Sequence, residues 1–472
     1  MYYLKTKGNC FPFLFYLKKM CYNSIRGNDM KMFLSVLVGK ILVIIGKIFK
    51  KGSSTPGSVV LRMNKDFLKE IKLPKTVIAV TGSSGKGSIS TMIAKVYRGL
   101  GYTVAHNSKG SNLSAGIATL LVENCSLFGK IKTDILVYEV DERYSKYVFP
   151  YITPNYVVIS NICRDQPPRQ GNFDLVYEEI KKALNKDMHL ILNGDDPYLQ
   201  KFVLDGSNAS YYGMNKNKYS YEQNLFKSLN IVYCPKCGKK LKYNYYHFES
   251  LGDYYCESCD FKRPNIDYEI TNLDYENGKI VVNEKYNLNL SFNILYNIYN
   301  TLAAFTLLGI CGLDLDSVTN HLNEIKTNTK INNEYDYNNR KVRVLSNKNE
   351  NNTTFNQSIL YTKRFSGEKV IIIGWKEISR RYEFNDISWL YDIDFEILND
   401  DSLEKIICVG VQRFDLALRM KCAGIDNDKI YISENLDDSI EYIKNNTYGD
   451  IYAILNFDYI EPFNRLMNSG DK

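Results

Sequence analysis

The sequence predicts an α/β protein with more than one domain, and three observations lead to this prediction. Apolar runs of strand length alternate with helical patterns, which is typical of a parallel sheet covered on both faces. A glycine-rich loop stands between the first of these runs and a helix. The chain also has 472 residues, whereas single cores stop growing at about 250 to 300 residues.

The composition narrows the class of protein. The hydrophobic fraction of 44% and the charged fraction of 24% are those of an ordinary globular chain. Sixty basic and fifty-three acidic residues give a net charge of +7, which is too small at this length to indicate nucleic acid, so we expect no nucleic-acid partner. Eleven cysteines without a secretion signal predict a reducing cytoplasm.

Residues 1–55 form a basic and apolar extension. Its apolar segment 32–49 contains Lys40 and Lys47 and no small-residue cleavage site, so it fits neither a spanning helix nor a signal peptide. We therefore predict an amphipathic helix. Two interpretations stay open: a helix packed on the domain that follows, or a helix that contacts the inner face of the membrane.

Residues 56–327 are predicted to form the first α/β domain. The run 76–80 leads through the glycine-rich loop into a helix with apolar residues at helical spacing, so one face of this helix packs on a sheet. These residues are Ile89, Met92, Ile93, Val96 and Leu100. Further buried strands are predicted at 134–140, 156–162 and 189–192, and a later helix at 295–308.

Residues 328–472 are predicted to form a second, smaller α/β domain. Its first part, 328–356, is rich in Asn, and we interpret it as the junction between the domains, apart from a short strand at 341–345. Strands then alternate with helices. The strands are predicted at 370–374, 406–411, 429–432 and 451–456, and the helices at 413–423 and 436–444.

The glycine-rich loop is the candidate nucleotide site. A loop of this kind turns backbone N–H groups and the positive end of a helix dipole toward a polyphosphate. The predicted contacts are Gly82, Ser83, Ser84, Gly85, Lys86, Gly87 and Ser88. Lys86 would reach the outer phosphates, whereas Val80 and Gly87 depart from the general phosphate-loop pattern. The alternative is a strand-to-helix turn that binds no ligand.

Four cysteines give the strongest local signal. Cys234 and Cys237, then Cys256 and Cys259, form two C-x-x-C pairs separated by eighteen residues, which is typical of a closed tetrahedral zinc site. Four thiolates leave no open position for water, so we predict a structural Zn²⁺ in a ribbon insertion at 232–266. Redox-active pairs and a nucleic-acid-binding ribbon are the alternatives.

Several motifs, taken in order, resemble those of one family. They are the phosphate loop, HNSKGSNLSAG from His106, EVDE from Glu139, NICRDQ from Asn161, NGDDP from Asn193, YNIYN from Tyr296 and DISWLYDIDFE from Asp386. In type and order they are similar to the MurT family of Mur-ligase-type synthetases. The resemblance covers most of the chain from about residue 55 onward and implies a Mur-ligase-type central ATPase domain.

The resemblance also implies an activity. Members of this family are cytoplasmic subunits that pair with a GatD-like glutamine amidotransferase and act on lipid II. With ATP and Mg²⁺ they activate the α-carboxyl of the stem-peptide D-glutamate as an acyl phosphate, and ammonia from the partner converts it to an amide. The chemistry is reasonable because a carboxylate is a poor electrophile until one oxygen becomes a leaving group.

The family's functional residues match particular positions of this chain. By that match Glu139 is the magnesium carboxylate, Ser88 offers the magnesium hydroxyl if the loop shifts by one residue, and Asn297 contacts the nucleotide. Asp386, with Asp392 as the second choice, completes the catalytic triad of the glutaminase. A cap or a turn is the structural alternative for each of these residues.

The chain also departs from the family pattern. The altered positions are Gly87, Pro167, Pro168, Asn332 and Asn333. All five fall in motifs that serve catalysis in the family. Two alternative functions therefore stay open: a degenerate relative that acts as a scaffold, and another Mur-type ligase that adds an amino acid.

Overall fold

The computed structural model describes residues 28–49, 53–108, 110–163, 172–227, 229, 231–290, 294–325, 333–347, 352–376 and 387–468. The helices are α1 (Asn28–Ile48), α2 (Thr55–Met63), α3 (Phe67–Glu70), α4 (Lys86–Gly99), α5 (Ser114–Asn124), α6 (Ser145–Val148), α7 (Phe173–Lys181), α8 (Leu295–Ile310), α9 (Leu315–Glu324), α10 (Asn352–Thr362), α11 (Arg413–Cys422), α12 (Leu436–Asn446) and α13 (Phe457–Asn468).

Seventeen strands are described in this part of the chain. They are β1 (Thr76–Thr81), β2 (Val104–His106), β3 (Ile135–Glu139), β4 (Tyr156–Ile159), β5 (His189–Asn193), β6 (Ala209–Met214), β7 (Lys242–Phe248), β8 (Leu251–Tyr255), β9 (Tyr268–Asp274), β10 (Lys279–Val282), β11 (Tyr286–Asn289), β12 (Asn333–Tyr337), β13 (Arg340–Asn347), β14 (Lys369–Trp375), β15 (Leu403–Gly410), β16 (Ile430–Ile432) and β17 (Asp450–Asn456).

The first domain contains a nine-stranded sheet with the strand order β11-β10-β9-β6-β5-β4-β1-β3-β2. The strands from β2 to β9 in that order are parallel, whereas β10 and β11 continue the sheet antiparallel. The predicted parallel sheet is confirmed, because the four predicted strands are the adjacent β3, β1, β4 and β5. The chain order changes direction at β1, and such switch points open a crevice at the carboxyl ends of the strands.

The second sheet has six strands in the order β12-β13-β17-β14-β15-β16. Its first two strands come from the Asn-rich stretch. The predicted strand at 341–345 is confirmed as part of β13, whereas the interpretation of the flanking residues as a junction is wrong at 333–340, 346–347 and 352–356. Val342, Val344 and Leu345 are buried, and so is Asn356, whose side-chain amide donates one hydrogen bond and accepts another. The boundary between 327 and 328 lies outside the described residues and stays a prediction.

Helix α1 packs on the first domain through one face. Met32, Val36 and Val43 belong to the same buried cluster as residues of α2 and α5. Gly39 allows the close approach, since a Cβ there would lie 2.6 Å from a methyl of Val60. This packing agrees with the first interpretation of the segment. Within the described ranges, no helix combines the length and apolar character needed to cross a membrane.

The hairpin of β7 and β8 links the two sheet domains. Glu249 at its tip has a φ of +44° and is buried, and its Oε1 accepts a hydrogen bond of 2.9 Å from the Asn356 side chain of α10. The Asn356 Oδ1 in turn accepts from the Asp394 N–H at 2.9 Å. The Asp394 carboxylate accepts from the N–H of Lys227 at 3.1 Å. The insertion therefore contacts both domains.

We expect the stability of this interface to fall as the pH rises. Burial first, and then the charges of Asp394 and Asp196, raise the pKa of Glu249 from 4.5 to about 8. Between these two values the folded chain keeps a proton that the unfolded chain releases, so the free energy of unfolding decreases with pH across this window and levels off above it. Glu249→Gln should reduce this decrease, as measured by chemical denaturation from pH 5 to 9.

A matched control is Glu257→Gln, because Glu257 is an exposed acid in the same insertion. We expect this variant to follow the wild-type pH dependence. A Glu249→Gln variant with the full wild-type decrease would contradict a protonated Glu249 in the folded chain.

Candidate functional site

The glycine-rich loop after β1 fits only because it carries no side chains at two positions. Gly82 and Gly85 have φ values of +121° and +84°. A Cβ on Gly82 would lie 2.4 Å from the Ser160 Oγ, and one on Gly85 would lie 2.3 Å from the Asn300 Oδ1. The backbone therefore passes directly against the residues after β4 and against helix α8. Glycine is required for this path.

Residues after β4 hold the loop. The backbone N–H groups of Ser83 and Ser84 donate to the Asn161 carbonyl at 2.8 Å and to the Asn161 Oδ1 at 3.1 Å. The Ser84 carbonyl accepts from the Asn161 amide at 3.1 Å and from the Ser160 hydroxyl at 2.5 Å. The Ser83 hydroxyl bonds to the backbone of Cys163. Helix α4 then begins at Lys86, and its N-cap residue Gly85 has no side chain to cap the first N–H groups.

The Lys86 ammonium lies between the loop and a buried acid. It donates to the carbonyls of Gly82 and Ser83 and forms an ion pair of 3.1 Å with the Glu142 Oε2. The side chains of Lys86 and Glu142 are 11% and 2% exposed. Burial first, and then the neighbouring Glu142 carboxylate, raise the pKa of Asp141. Lys86 therefore stabilises the fold through these contacts, in addition to any contact with a ligand of the loop.

Glu139 stands at the carboxyl end of β3 beside the loop. Its Oε2 lies 3.2 Å from the position that a Cβ on Gly87 would take. Its Oε1 accepts from the Asn112 amide at 3.0 Å, and its backbone is bracketed by the Asn107 side chain with two hydrogen bonds of 2.8 Å. The predicted magnesium carboxylate is thus held rigidly next to the helix that carries Lys86. A role of Ser88 at magnesium stays a prediction.

Helix α8 places the Asn300 side chain against the loop, whereas the family resemblance predicts Asn297 as the nucleotide contact. Asn300 faces Gly85, whereas the predicted nucleotide contact Asn297 is buried one turn earlier, with its carbonyl bonded to the Thr301 hydroxyl at 2.8 Å. The helix packs on α4, where the Thr301 Oγ1 lies 3.9 Å from the sulfur of Met92.

The Asp195 turn has a structural role. Its carboxylate is fully buried and pairs with the Arg263 Nε at 2.7 Å. It also accepts from the Tyr299 hydroxyl and from the Met214 N–H, both at 2.8 Å. These contacts join the end of β5 to the insertion and to α8.

The four cysteines of the insertion meet in space. The Sγ atoms of Cys234, Cys237, Cys256 and Cys259 all lie within 4.8 Å of one another. The Sγ–Sγ distance is 3.6 Å between Cys234 and Cys259 and 3.4 Å between Cys237 and Cys256. Sulfur atoms around a tetrahedral zinc lie roughly 3.8 Å apart, given a Zn–S bond of about 2.3 Å. The donor set and its spacing suit a closed zinc site.

Several predicted residues are not tested by this geometry. Asp386, Pro167, Pro168 and Asn332 lie outside the described residues, and of Asn333 the structure describes only the backbone at the start of β12. Asp392 ends a short 3₁₀ helix, Ser388–Asp392, and is partly exposed. Its role toward a glutaminase stays a prediction.

Sequence reasoning missed the side chains that hold the site. Asn107, Asn112, Glu142, Asn161 and Asn300 received no role, although each stands in one of the motifs that carried the family resemblance. Their positions in these motifs were the available signal. Which atoms they contact follows only from the fold.

The fold and the phosphate loop define a Mur-type ligase. Residues 80–308 match the model of the Mur ligase middle domain, and residues 349–459 match that of the MurT ligase C-terminal domain. A pseudomurein peptide ligase of type C from Methanothermus fervidus superposes with a TM-score of 0.65 at 21% identity, covering 86% of this chain and 81% of its own. This likeness shows the shared fold.

Within the Mur-type ligases, the chain belongs to the MurT family. It is 31% identical to the MurT subunit of lipid II isoglutaminyl synthase (glutamine-hydrolyzing) of Staphylococcus aureus strain COL, over 80% of this chain and 84% of the relative. It is 27% identical to the MurT subunit of Streptococcus pneumoniae strain R6, over 93% of this chain and 98% of the relative.

We expect Lys86→Ala to lose ATP turnover and also stability. The change removes an ammonium from a carboxylate that stays buried, which typically lowers the free energy of unfolding by about 3 kcal/mol. The double variant Lys86→Ala/Glu142→Gln should recover stability without recovering ATP turnover, because an amide needs no counter-charge. Chemical denaturation and an ATPase assay separate the two effects. Unchanged turnover in Lys86→Ala would remove this lysine from the reaction.

Proposed function

We propose that this chain is the synthetase subunit of a lipid II isoglutaminyl synthase. It uses ATP to convert the α-carboxyl of the stem-peptide D-glutamate of lipid II to an amide, with ammonia supplied by a GatD-like glutaminase. Membership of the MurT family supports the overall reaction. The juxtaposition of the glycine-rich loop, Lys86 and Glu139 at one edge of the sheet is the observation that carries the ATP-dependent step.

The reaction has two steps that this site suits. A carboxylate oxygen of the substrate attacks the γ-phosphorus of ATP, the bond to the β-phosphate oxygen breaks, and ADP leaves. Ammonia then attacks the acyl carbon, inorganic phosphate leaves, and a proton is lost to water. The N–H groups at the start of α4 and the Lys86 ammonium stabilise the negative charge of the phosphates.

Glu139 is our proposed magnesium ligand. The ion supplies charge neutralisation at the transferred phosphate when it is bound. The Asn112 amide donates to the Glu139 carboxylate, and the Asn107 side chain donates to the Glu139 carbonyl and accepts from the Glu139 N–H. These contacts hold the carboxylate beside Gly87, which fits such a role. Gly87 has no hydroxyl that could bind magnesium, so the next residue, Ser88, is proposed to supply it. Asn297 and Asn300 are proposed at the nucleotide side of the loop.

The cysteine cluster is our proposed structural zinc site. Its four sulfurs give a closed coordination shell, so the ion holds the insertion together and takes no part in the reaction. We place the working complex in the cytoplasm at the inner face of the membrane, where a lipid-linked substrate presents its peptide. Asp386 or Asp392 is proposed to complete the glutaminase triad.

Reconstitution tests the proposed function. The full chain, purified together with its glutaminase, should amidate lipid II when ATP, Mg²⁺ and glutamine are present, and mass spectrometry should detect replacement of one hydroxyl by an amine. A product that has gained an amino acid would indicate another Mur-type ligase. A scaffold is the second candidate, favoured by Gly87. Absence of product from an intact complex would support the scaffold and contradict the synthetase.

We expect Cys237→Ser to lower the zinc content and loosen the insertion. Three thiolates and a hydroxyl bind zinc more weakly than four thiolates. Zinc content is measured by elemental analysis and the order of the insertion by limited proteolysis between residues 232 and 266. The control is Cys422→Ser, an exposed cysteine of α11. Equal zinc content in wild type and Cys237→Ser would refute the assigned ligands.

A further inference from the structure

Helix α1 is apolar on the side that faces away from the protein. The outer stripe of this helix consists of residues at helical spacing, namely Met30, Leu34, Leu37, Ile41, Ile44, Ile45 and Ile48. Leu34 and Leu37 are partly exposed, and the exposed fraction of the others lies between 44% at Ile45 and 71% at Ile48. A helix packed on a water-soluble protein normally turns polar residues outward. The outer stripe therefore indicates that this side of the helix contacts an apolar surface outside the described chain.

The net positive charge of the chain is concentrated in the N-terminal sequence that contains this helix. Residues 1–55 contain nine lysines and one arginine but only one acid, Asp29. The other 417 residues carry 50 basic and 52 acidic residues. The entire net positive charge thus lies in the N-terminal extension. Lys31 and Lys47 flank the outer stripe, roughly 80° and 120° to either side of Ile41 around the helix.

The same helix forms a wall of a cavity beside the candidate site. The cavity has a volume of 540 Å³ and is lined by Val43 and Lys47 of α1, by His106 at the end of β2 and by the following Asn107. Asn107 holds the backbone of Glu139. Burial lowers the pKa of His106 to about 4, so the imidazole ring that lines the cavity is neutral at pH 7. Helix α1 thus carries an apolar surface on its outside and the cavity next to its inner face.

We propose that the outer stripe docks α1 on the surface of a bilayer that contains anionic lipids. The proposal rests on the proposed function, because a lipid-linked substrate brings the enzyme to a membrane. An interfacial helix sinks its apolar face into the boundary between headgroups and acyl chains. Its flanking lysines extend to the phosphates of anionic headgroups.

The charge pattern favours a bilayer over a second copy of the chain. Pairing two outer stripes would bring two extensions together, each with ten basic residues and one acid, and their like charges repel. An anionic surface instead attracts both. The docked helix would bring the cavity that it lines close to the headgroups, where the peptide of a lipid-linked substrate extends from the bilayer.

Vesicle binding by the full chain tests this proposal. We expect the wild type to sediment with vesicles of phosphatidylglycerol and phosphatidylcholine, and less with phosphatidylcholine alone. Ile44→Asp/Ile48→Asp should weaken this binding about tenfold or more, because two charges enter the apolar stripe. The matched control is Phe414→Asp/Leu418→Asp, which makes the same change at two exposed positions of α11, also four residues apart.

Three results would overturn the proposal. One is a wild type that stays in the supernatant with both kinds of vesicle. Another is equal vesicle binding by wild type and Ile44→Asp/Ile48→Asp. The third is a wild-type dimer that this variant converts to a monomer in solution without lipid, since the stripe would then join two copies.

Activity measurements separate this proposal from the proposed function. With the glutaminase present, Ile44→Asp/Ile48→Asp should amidate lipid II in detergent at the wild-type rate and lose most of its rate on lipid II in vesicles. Equal rates on both substrates would contradict a role of the stripe in reaching the membrane. Failure of the wild type on both substrates would count against the synthetase, and vesicle binding would still be measured independently.

Discussion

The site depends on how closely the backbone passes its neighbours after β1. At Gly82 and Gly85 a single added carbon would overlap Ser160 or Asn300, and both residues have positive φ values. Because the chain can take this path, it turns directly from the sheet into α4. Helix α4 then begins at Lys86, beside the end of β3 where Glu139 stands. The geometry of the site follows from this turn.

Buried polar groups tie the surrounding elements together. Lys86 and Glu142 join α4 to the segment after β3, and Asp195 and Arg263 join β5 to the cysteine insertion. At the insertion's tip, Glu249 bonds to α10 of the second domain. Taking such groups out of water is costly unless each finds a partner. The insertion is therefore part of the contact between the two sheet domains, and the four cysteines lie within it.

The N-terminal helix combines two apolar faces with a strong local charge. One face completes the core of the first domain together with α2 and α5. The other face is exposed, and the sequence that contains this helix, residues 1–55, has ten basic residues and one acid. A helix that only filled the core would need one apolar face. The helix also lines the cavity that Asn107 borders, so it lies close to the candidate site as well as in the core.

The sequence by itself determined the strands β1, β3, β4 and β5, the helices α4 and α8, and the cysteine pairs, because hydrophobic period and short spacings are local properties of the chain. The family could also be recognised from the sequence alone, because the type and order of the motifs are properties of the chain itself. Only the tertiary structure decided that Gly87 lies beside Glu139, that Asn300 faces Gly85, and that Asn356 is a buried link. These contacts join residues far apart in sequence, and an Asn-rich stretch reads the same whether water or a carboxylate binds its amides.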